Sequence, residues 1–446
     1  MSETKKHKIV NAWISQVIGN EIIPVFGDLH FSNGKIDKIE KKKFKLPLEQ
    51  SDKSETVYDA EGRILTLPLV NFHDHIYSRL AKGLPLTEPM DTFQNILKNL
   101  WWKLDLDLDL PMIAASAKMA GIESIKNGVT YIFDHHASPS STINSLKTIK
   151  AELNNFGLRG VLCFETSDRN GQAKSDEAIK ENIDFFKNLT NDNFKGLFGL
   201  HASFTVDDET LNKVRRLIIE NVVGIHIHVS EDESDNEISL EKYNASPIQR
   251  LVNANLLNAK SIIAHGLHIA QADLNIVADC GSAIAYNLDS NLNNSVGLPD
   301  FKNVPSEIPI LIGTDGMHAN IAKSMKQYFL LNRFKGKSFD DAFGNFIEVY
   351  FNQLNFVKKY FNDFPNLNEG DRADFIIWDY VPPTPISKNN FWGHYIYGVT
   401  ESSVKSVVQN GKYLMKDFRL REIDEAKNWE EINIQGNNLH KKFSEK

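Results

Sequence analysis

Eight apolar runs between residues 65 and 315 each end on a side chain that can bind a metal or move a proton. LTLPLVNF leads into His73-Asp74-His75, VTYIF into Asp134-His135-His136, VLCF into Glu165 and LFGL into His201. VVGIHI leads into His228, SIIA into His265, SAIAY into Asn287 and IPILIGT into Asp315. His73, His75, His135, His136, His201, His226, His228 and His265, eight of the fourteen histidines, stand in or directly after these runs. Residues two apart on a strand project from the same face, so His73 with His75, and His226 with His228, each aim two imidazoles one way. Neutral imidazole joined by a carboxylate such as Asp315 is a donor set that suits zinc, and also iron(II) or manganese. One His-x-His pair is weak evidence. The ordered series His-x-His, His, His-x-His-x-x-Glu, His, Asp along one chain is specific, and the chemistry it indicates is hydrolysis by water activated at a bound cation.

Distant residues meet in this way when they all stand at the same end of parallel strands. Between the strand ends lie helical patterns. Residues 141–156 carry Ile143, Leu146, Ile149 and Leu153 on one stripe and stop at Gly157, and 207–221 open with acids and carry Leu211, Val214 and Ile218. Strand and helix alternation predicts an α/β fold, a (β/α)8 TIM barrel over residues 65–365 with its active site at the strand C-termini. Asn33-Gly34 and Asn410-Gly411 sit between β-type runs as hairpin turns. Neither chain end has enough apolar surface to stand alone, so residues 1–64 and 366–446 are expected to form a small β-sandwich from both ends, with 421–446 a charged, helix-prone tail. From Ile76 to Gly128 the chain is long enough for a lid; LDLDLDL followed by Pro111 reads as a loop feeding a helix.

The 446 residues carry 41% hydrophobic and 24% charged side chains, ordinary globular values. A net charge of −8 argues against nucleic acid, which is bound through clustered Lys and Arg. The basic stretch from Lys35 to Lys45 is interleaved with acids and reads as a solvated strand edge. Cys163 and Cys280 lie in apolar runs as small core residues of a reducing compartment. The polar start MSETKKHKIV is unlike a secretory signal, and no apolar run of about 18 residues is present. A cytoplasmic protein with a small-molecule substrate, no nucleic-acid or membrane partner, and homodimeric assembly is expected.

The chain resembles the amidohydrolase superfamily, in its mononuclear deaminase and chlorohydrolase branch, and within it the SsnA-type aminohydrolases. LKNLWWKLD, FDHHASP, CFETSDRN, HASFTV, GIHIHVSEDESD, AHGLHI, NLDSNLNN, GTDG and the C-terminal GDRADFIIWD carry the resemblance over nearly the whole length. It implies one divalent ion, zinc with iron or manganese as alternatives, held by His73, His75, His228 and Asp315. It implies that Glu231 shuttles a proton, that His265 orients the water or polarises the bond attacked, and that His201 touches substrate. Asp315 would take the water's proton. His136, Glu165, Arg169 and Trp101 are further candidate substrate contacts. No lysine stands at a strand end to bridge a second metal.

Plainer roles compete for several of these residues. His226 reads as an interior filler, His201 as a structural hydrogen bonder, and Trp101 and Trp102 as packing groups. Glu165, Asp168 and Arg169 could form a local ion pair, and Asn287, Ser290 and Asn291 could shape a loop through bonds to the backbone. The leading function is an aminohydrolase that deaminates a cyclic amidine or purine-like compound. The alternatives are a chlorohydrolase or cyclic-amide hydrolase on the same site, or a catalytically silent scaffold, which the intact His73, His75, His228, Glu231, His265 and Asp315 oppose. A cytidine-type zinc deaminase needs a Cys-x-x-Cys pair that the chain lacks.

Overall fold

A computed structural model describes residues 6–43 and 55–445. The strands that carry the site are β1 (Leu69–Asp74), β2 (Val129–His136), β3 (Arg159–Phe164), β4 (Phe198–Ala202), β5 (Ile225–Val229), β6 (Ile262–His265), β7 (Ala283–Tyr286) and β8 (Ile310–Ile312). They form two sheets. One has the order β4-β5-β6-β7-β8 with every pair parallel. The other has the order β1-β2-β3 followed by a short strand Phe194–Gly196, with β2, β3 and that strand parallel. Isolated parallel bridges link Thr166 to Leu200 and Asp74 to Asp315, so each sheet touches the other on both sides.

Parallel strands are covered on both faces and read as unbroken apolar runs. β2 and β3 are buried at every position. Helices fill the connections: Ser145–Asn155 joins β2 to β3, Asp208–Asn221 joins β4 to β5, and Gln271–Cys280 joins β6 to β7. Leu211, Val214 and Ile218 form the buried stripe of the second of these, behind Asp208 and Glu209 in its first turn. In Ser145–Asn155 the stripe is Leu146, Ile149 and Leu153, with Gly157 beyond at φ 75°. Ile143, expected on that stripe, is exposed because left-handed Asn144 precedes the helix. LDLDLDL also departs from expectation: Leu104, Asp105 and Asp107 are buried in a helix, Trp102–Asp107, that follows a π-helical turn at Leu97–Trp101.

The chain divides into two compact units. One contains the N-terminal part of the chain up to Val70, together with Ile122–Thr130 and Phe361–Asp424. Its mixed sheet of nine strands runs from Arg419–Leu420 through Phe375–Trp378 and Ile64–Thr66 to Lys6–Ile18 and Lys35–Lys41. Asn33-Gly34 and Asn410-Gly411 are tight hairpin turns in it, with all four residues at positive φ as a type I′ turn requires. Lys35–Lys41 is an edge strand with Lys35, Asp37 and Lys38 exposed; Lys45 lies outside the described residues. The second unit holds Asn71–Gly121 and Tyr131–Tyr360. The helix Glu425–Ser444, in the tail that the sequence pattern groups with the sandwich half, belongs to the second unit. There Lys442 Nζ donates to Asp107 O at 3.1 Å and pairs with Asp109 at 3.0 Å.

Candidate metal centre and pocket

The end of β1 is held by its neighbour β8. Thr314 and Asp315 N–H both donate to His73 O, at 3.0 and 2.9 Å. Asn71 Nδ2 donates to Asp74 and to Thr314 Oγ1, and Asp74 turns away from its flanking histidines into a fully buried ion pair with Arg79 at 2.7 Å. Asp134 is likewise a framework group, accepting from Ile76 N–H at 2.8 Å. Gly313 permits the close approach. A Cβ there would lie 2.7 Å from His73 Cβ and 2.3 Å from Asn287 Oδ1. Gly313→Ala is therefore expected to displace His73, lowering the melting temperature by the equivalent of about 1–3 kcal/mol, as overpacked cores do, together with bound metal. Thermal denaturation and metal analysis read both; an unchanged pair of values refutes the packing argument.

Three imidazoles converge through their Nε2 atoms. His75 Nδ1 donates to His135 O at 2.6 Å and His228 Nδ1 to His201 O at 2.7 Å, while His73 Nδ1 meets His226 Nε2 at 2.9 Å. With the Nδ1 protons so used, the Nε2 lone pairs of His75 and His228 face each other at 3.0 Å. His73 Nε2 is buried with no hydrogen-bond partner among the described residues. Asp315 Oδ1 stands 3.1 Å from His75 Nε2 and 3.7 Å from His73 Nε2. Lone pairs and a carboxylate gathered this tightly repel unless positive charge sits among them. Burial opposes protonation of His75, yet Asp315 outweighs it and pushes the ring up to about 9, so a proton is drawn to this point. Burial and the surrounding imidazoles hold His73 and His228 neutral, well below the ordinary histidine value. Neutral nitrogen donors beside an ionised carboxylate fit a divalent cation.

Asp315 keeps its charge. Burial works against the ionised form, but His75, His265 and the Ser290 hydroxyl, donating at 2.5 Å, hold it below the ordinary carboxylate range. Glu231 is the opposite case: burial first, then the Asp315 charge, raises its pKa well above the usual value. Its Oε2 lies 3.4 Å from His265 Nε2. Asn291 Nδ2 donates to His265 Nδ1 at 2.8 Å, which places the His265 proton on Nε2, directed at Glu231 and, at 4.0 Å, Asp315. Carrying that proton, His265 Nε2 is a donor and not a ligand. His265 and Asp315 are both left-handed, at φ 69° and 55°, backbone strain that concentrates at functional positions.

Beyond these groups opens a pocket that is continuous with solvent. Trp101, Trp102, Phe204 and Tyr77 supply its aromatic wall, and His201, Glu165 and Arg169 line it as well. His201 is also structural, bonded through Nδ1 to Thr205 Oγ1 at 2.7 Å. Arg169 Nη2 donates to Glu165 at 2.6 Å and to Asp105 at 3.3 Å, with the guanidinium over Trp102. Burial raises both carboxyls against the pull of Arg169. Glu165 and Arg169 are thus an ion pair and a pocket wall at once. Asp168 is neither, because it accepts from Asp207 N–H and Thr210 at a helix start.

His136 requires correction as a substrate contact. Strand alternation turns it away from His135, and it lies buried between Tyr77 and Phe164, bonded to Ser138 at 2.8 Å, off the pocket wall. Ser290 and Asn291 also differ from expectation, since they bond the side chains of Asp315 and His265 and not the backbone. Asp105 escaped the sequence reading; its only signal was an acid three residues after paired tryptophans.

The sequence profile of the amidohydrolase family matches residues 64–414. A 5′-deoxyadenosine deaminase of Methanococcus vannielii is 28% identical over 401 residues, covering 87% of this chain and 92% of the relative. A 5-methylthioadenosine/S-adenosylhomocysteine deaminase of Thermococcus onnurineus is 28% identical over 380 residues, covering 82% and 86%. Among solved structures, an adenosine deaminase from Xanthomonas campestris with bound zinc superposes with a TM-score of 0.81 at 18% identity, covering 98% of each chain. An atrazine chlorohydrolase of Arthrobacter aurescens complexed with zinc gives 0.79 at 18% identity, covering 97% of this chain and 100% of the other.

Proposed function

This chain belongs to the amidohydrolase family, and from that membership we propose that it is a metal-dependent aminohydrolase that deaminates the ring of an adenosine-type compound. The observation that carries the proposal is the meeting of His73, His75 and His228 Nε2 with Asp315 beside the buried Glu231 at the floor of an aromatic cavity. His73, His75, His228 and Asp315 would hold one divalent ion, zinc by this donor set. When bound, such an ion acts as a Lewis acid and lowers the pKa of water toward neutrality.

The chain's own groups divide the remaining work. Asp315, ionised and anchored by Ser290, is the base that receives the water's proton. Glu231 gives its proton to the departing nitrogen, and the Nε2–H of His265 offers a hydrogen bond to the oxygen of the attacking water. Trp101, Trp102, Phe204 and Tyr77 present flat apolar surface to a planar heterocycle, and Asp105, Glu165 and Arg169 supply polar contacts at its edge. A single ion is supported by the neighbouring group His135, Glu165 and His228, which shares His228 with the first site and already has Arg169 on its carboxylate.

The wider architecture belongs to the same proposal. Bridges at Thr166 to Leu200 and Asp74 to Asp315 support closure of the eight strands into a (β/α)8 barrel, and the sheet of the other unit supports a small β-sandwich. Two free cysteines support a reducing, cytoplasmic setting, and among the described residues no helix is long and apolar enough to cross a membrane. Homodimeric assembly and absence of a nucleic-acid partner complete the proposal, the latter resting on the net charge of −8.

An ammonia-release screen tests it. Zinc-loaded protein is offered adenosine, 5′-deoxyadenosine, 5′-methylthioadenosine, S-adenosylhomocysteine, guanine and a chlorotriazine. Ammonia is expected from at least one adenosine-type compound, with conversion to the hypoxanthine ring. Chloride release from the triazine with no ammonia from any amine overturns the deaminase reading.

A further inference from the structure

His226 precedes His228 by two residues, so both rings leave β5 on the same face. It is fully buried, and its Nε2 stands 2.9 Å from His73 Nδ1. Its other nitrogen, Nδ1, is buried with no hydrogen-bond partner among the described residues. His75 and His228 donate from Nδ1 to backbone carbonyls, which can only accept, so their tautomers are fixed. His73 has no such constraint. Its Nδ1 faces another imidazole, and the proton between the two rings can belong to either.

If His226 holds that proton on Nε2, neutral His73 carries its own on Nε2. That proton points among the other donors, 3.7 Å from Asp315 Oδ1, and His73 cannot ligate. If His73 holds it on Nδ1, its Nε2 offers a lone pair to the centre and the His226 proton sits on Nδ1. Each arrangement leaves one buried N–H without an acceptor at hydrogen-bond distance, the first on His73 Nε2 toward Asp315 and the second on His226 Nδ1. A cation at the centre selects the second.

Given the metal centre proposed above, on which this inference rests, we propose that His226 is a positioning residue that accepts the Nδ1 proton of His73 and so fixes the tautomer in which His73 can ligate. The ring is held for this task. His135 Nε2 lies 3.1 Å from His226 O and 3.0 Å from Leu200 O, tying the carbonyls of β5 and β4 together, and His226 sits in ladder register with Gly199 and Ile262. His226 is not itself a ligand, because the nitrogen it directs toward the centre is already occupied by His73 Nδ1. Outer partners of metal-bound histidines act by orienting the ring and raising its basicity.

His226→Gln and His226→Met give side chains of nearly equal length that differ in having a strong acceptor. Zinc affinity is measured by competition with a fluorescent chelator, and the melting temperature is measured on metal-free protein. The Gln protein is expected to bind zinc within about threefold of wild type, and the Met protein about 10–100-fold more weakly. The metal-free Met protein is expected to melt no lower than the Gln protein. Equal zinc affinity in the two variants overturns the inference and leaves the metal centre intact; no zinc affinity in wild type overturns both. Nitrogen NMR of zinc-loaded wild type decides the matter without any variant. Protons on His73 Nδ1 and His226 Nδ1 are expected, and a proton on His226 Nε2 refutes the assignment.

Discussion

Glu231→Gln is expected to lower kcat by about 10²–10⁴-fold, the usual worth of a positioned acid or base, while bound metal stays at the wild-type level. That loss corresponds to roughly 3–5 kcal/mol of transition-state stabilisation. The amide keeps the volume of the acid and can still accept from Asn294, which lies 3.4 Å from Oε1. It cannot release a proton. Glu231 is suited to proton delivery because burial and the fixed charge of Asp315 raise its pKa well above that of an exposed glutamate. Steady-state kinetics on a substrate from the ammonia screen, with metal analysis of the same sample, read the two quantities separately. Wild-type turnover in the Gln protein removes Glu231 from the mechanism; loss of metal makes it a ligand or a support for one.

His228→Ala is expected to have the complementary signature, in which metal and turnover disappear together. The imidazole provides one of the three converging nitrogens, and its Nδ1–H anchor to His201 O leaves no freedom for another group to take its place. Alanine also removes the 3.0 Å contact with His75 Nε2, freeing that ring to pair with Asp315 alone. The affinity loss should exceed the about 10–100-fold that an outer-shell substitution costs. Metal content after dialysis, and activity with and without added zinc, check this. Full metal occupancy in the Ala protein would place the ion elsewhere, the group around His73, His265 and Asp315 being another arrangement the side chains offer. The paired outcomes matter more than either alone, since only a centre with separate ligand and acid separates occupancy from turnover.

The parts of the site legible in the chain are those with a local signature. An apolar run that ends on His, Glu or Asp marks a buried strand and its exit, and spacing by two marks residues on one face. That is enough to nominate His73, His75, His228, His265 and Asp315, and the helix stripe at Leu211, Val214 and Ile218, whereas the role of Glu231 came from the family resemblance. Alternation could also have excluded His136, because its neighbour His135 already faces inward. Asp105 was hidden by its own repeat: Leu-Asp alternation suggests neither helix nor pocket, and only packing against Arg169 gives it meaning. Ser290 and Asn291 looked like loop residues because nothing in a turn sequence identifies the distant side chain that a hydroxyl or amide will meet.

By itself, then, the sequence determined which residues are delivered to the mouth of the strands, because side-chain direction along a strand follows from backbone geometry within a few positions. Tertiary structure alone decided what each delivered group does there. The contacts of His73 with His226 and of His75 with His228 both span 153 residues, and they select which ring nitrogen carries a proton and which offers a lone pair. Asn291 makes the opposite choice for His265. Protonation, tautomer and charge respond to neighbours at hydrogen-bond distance, and those neighbours exist only once the strands have come together.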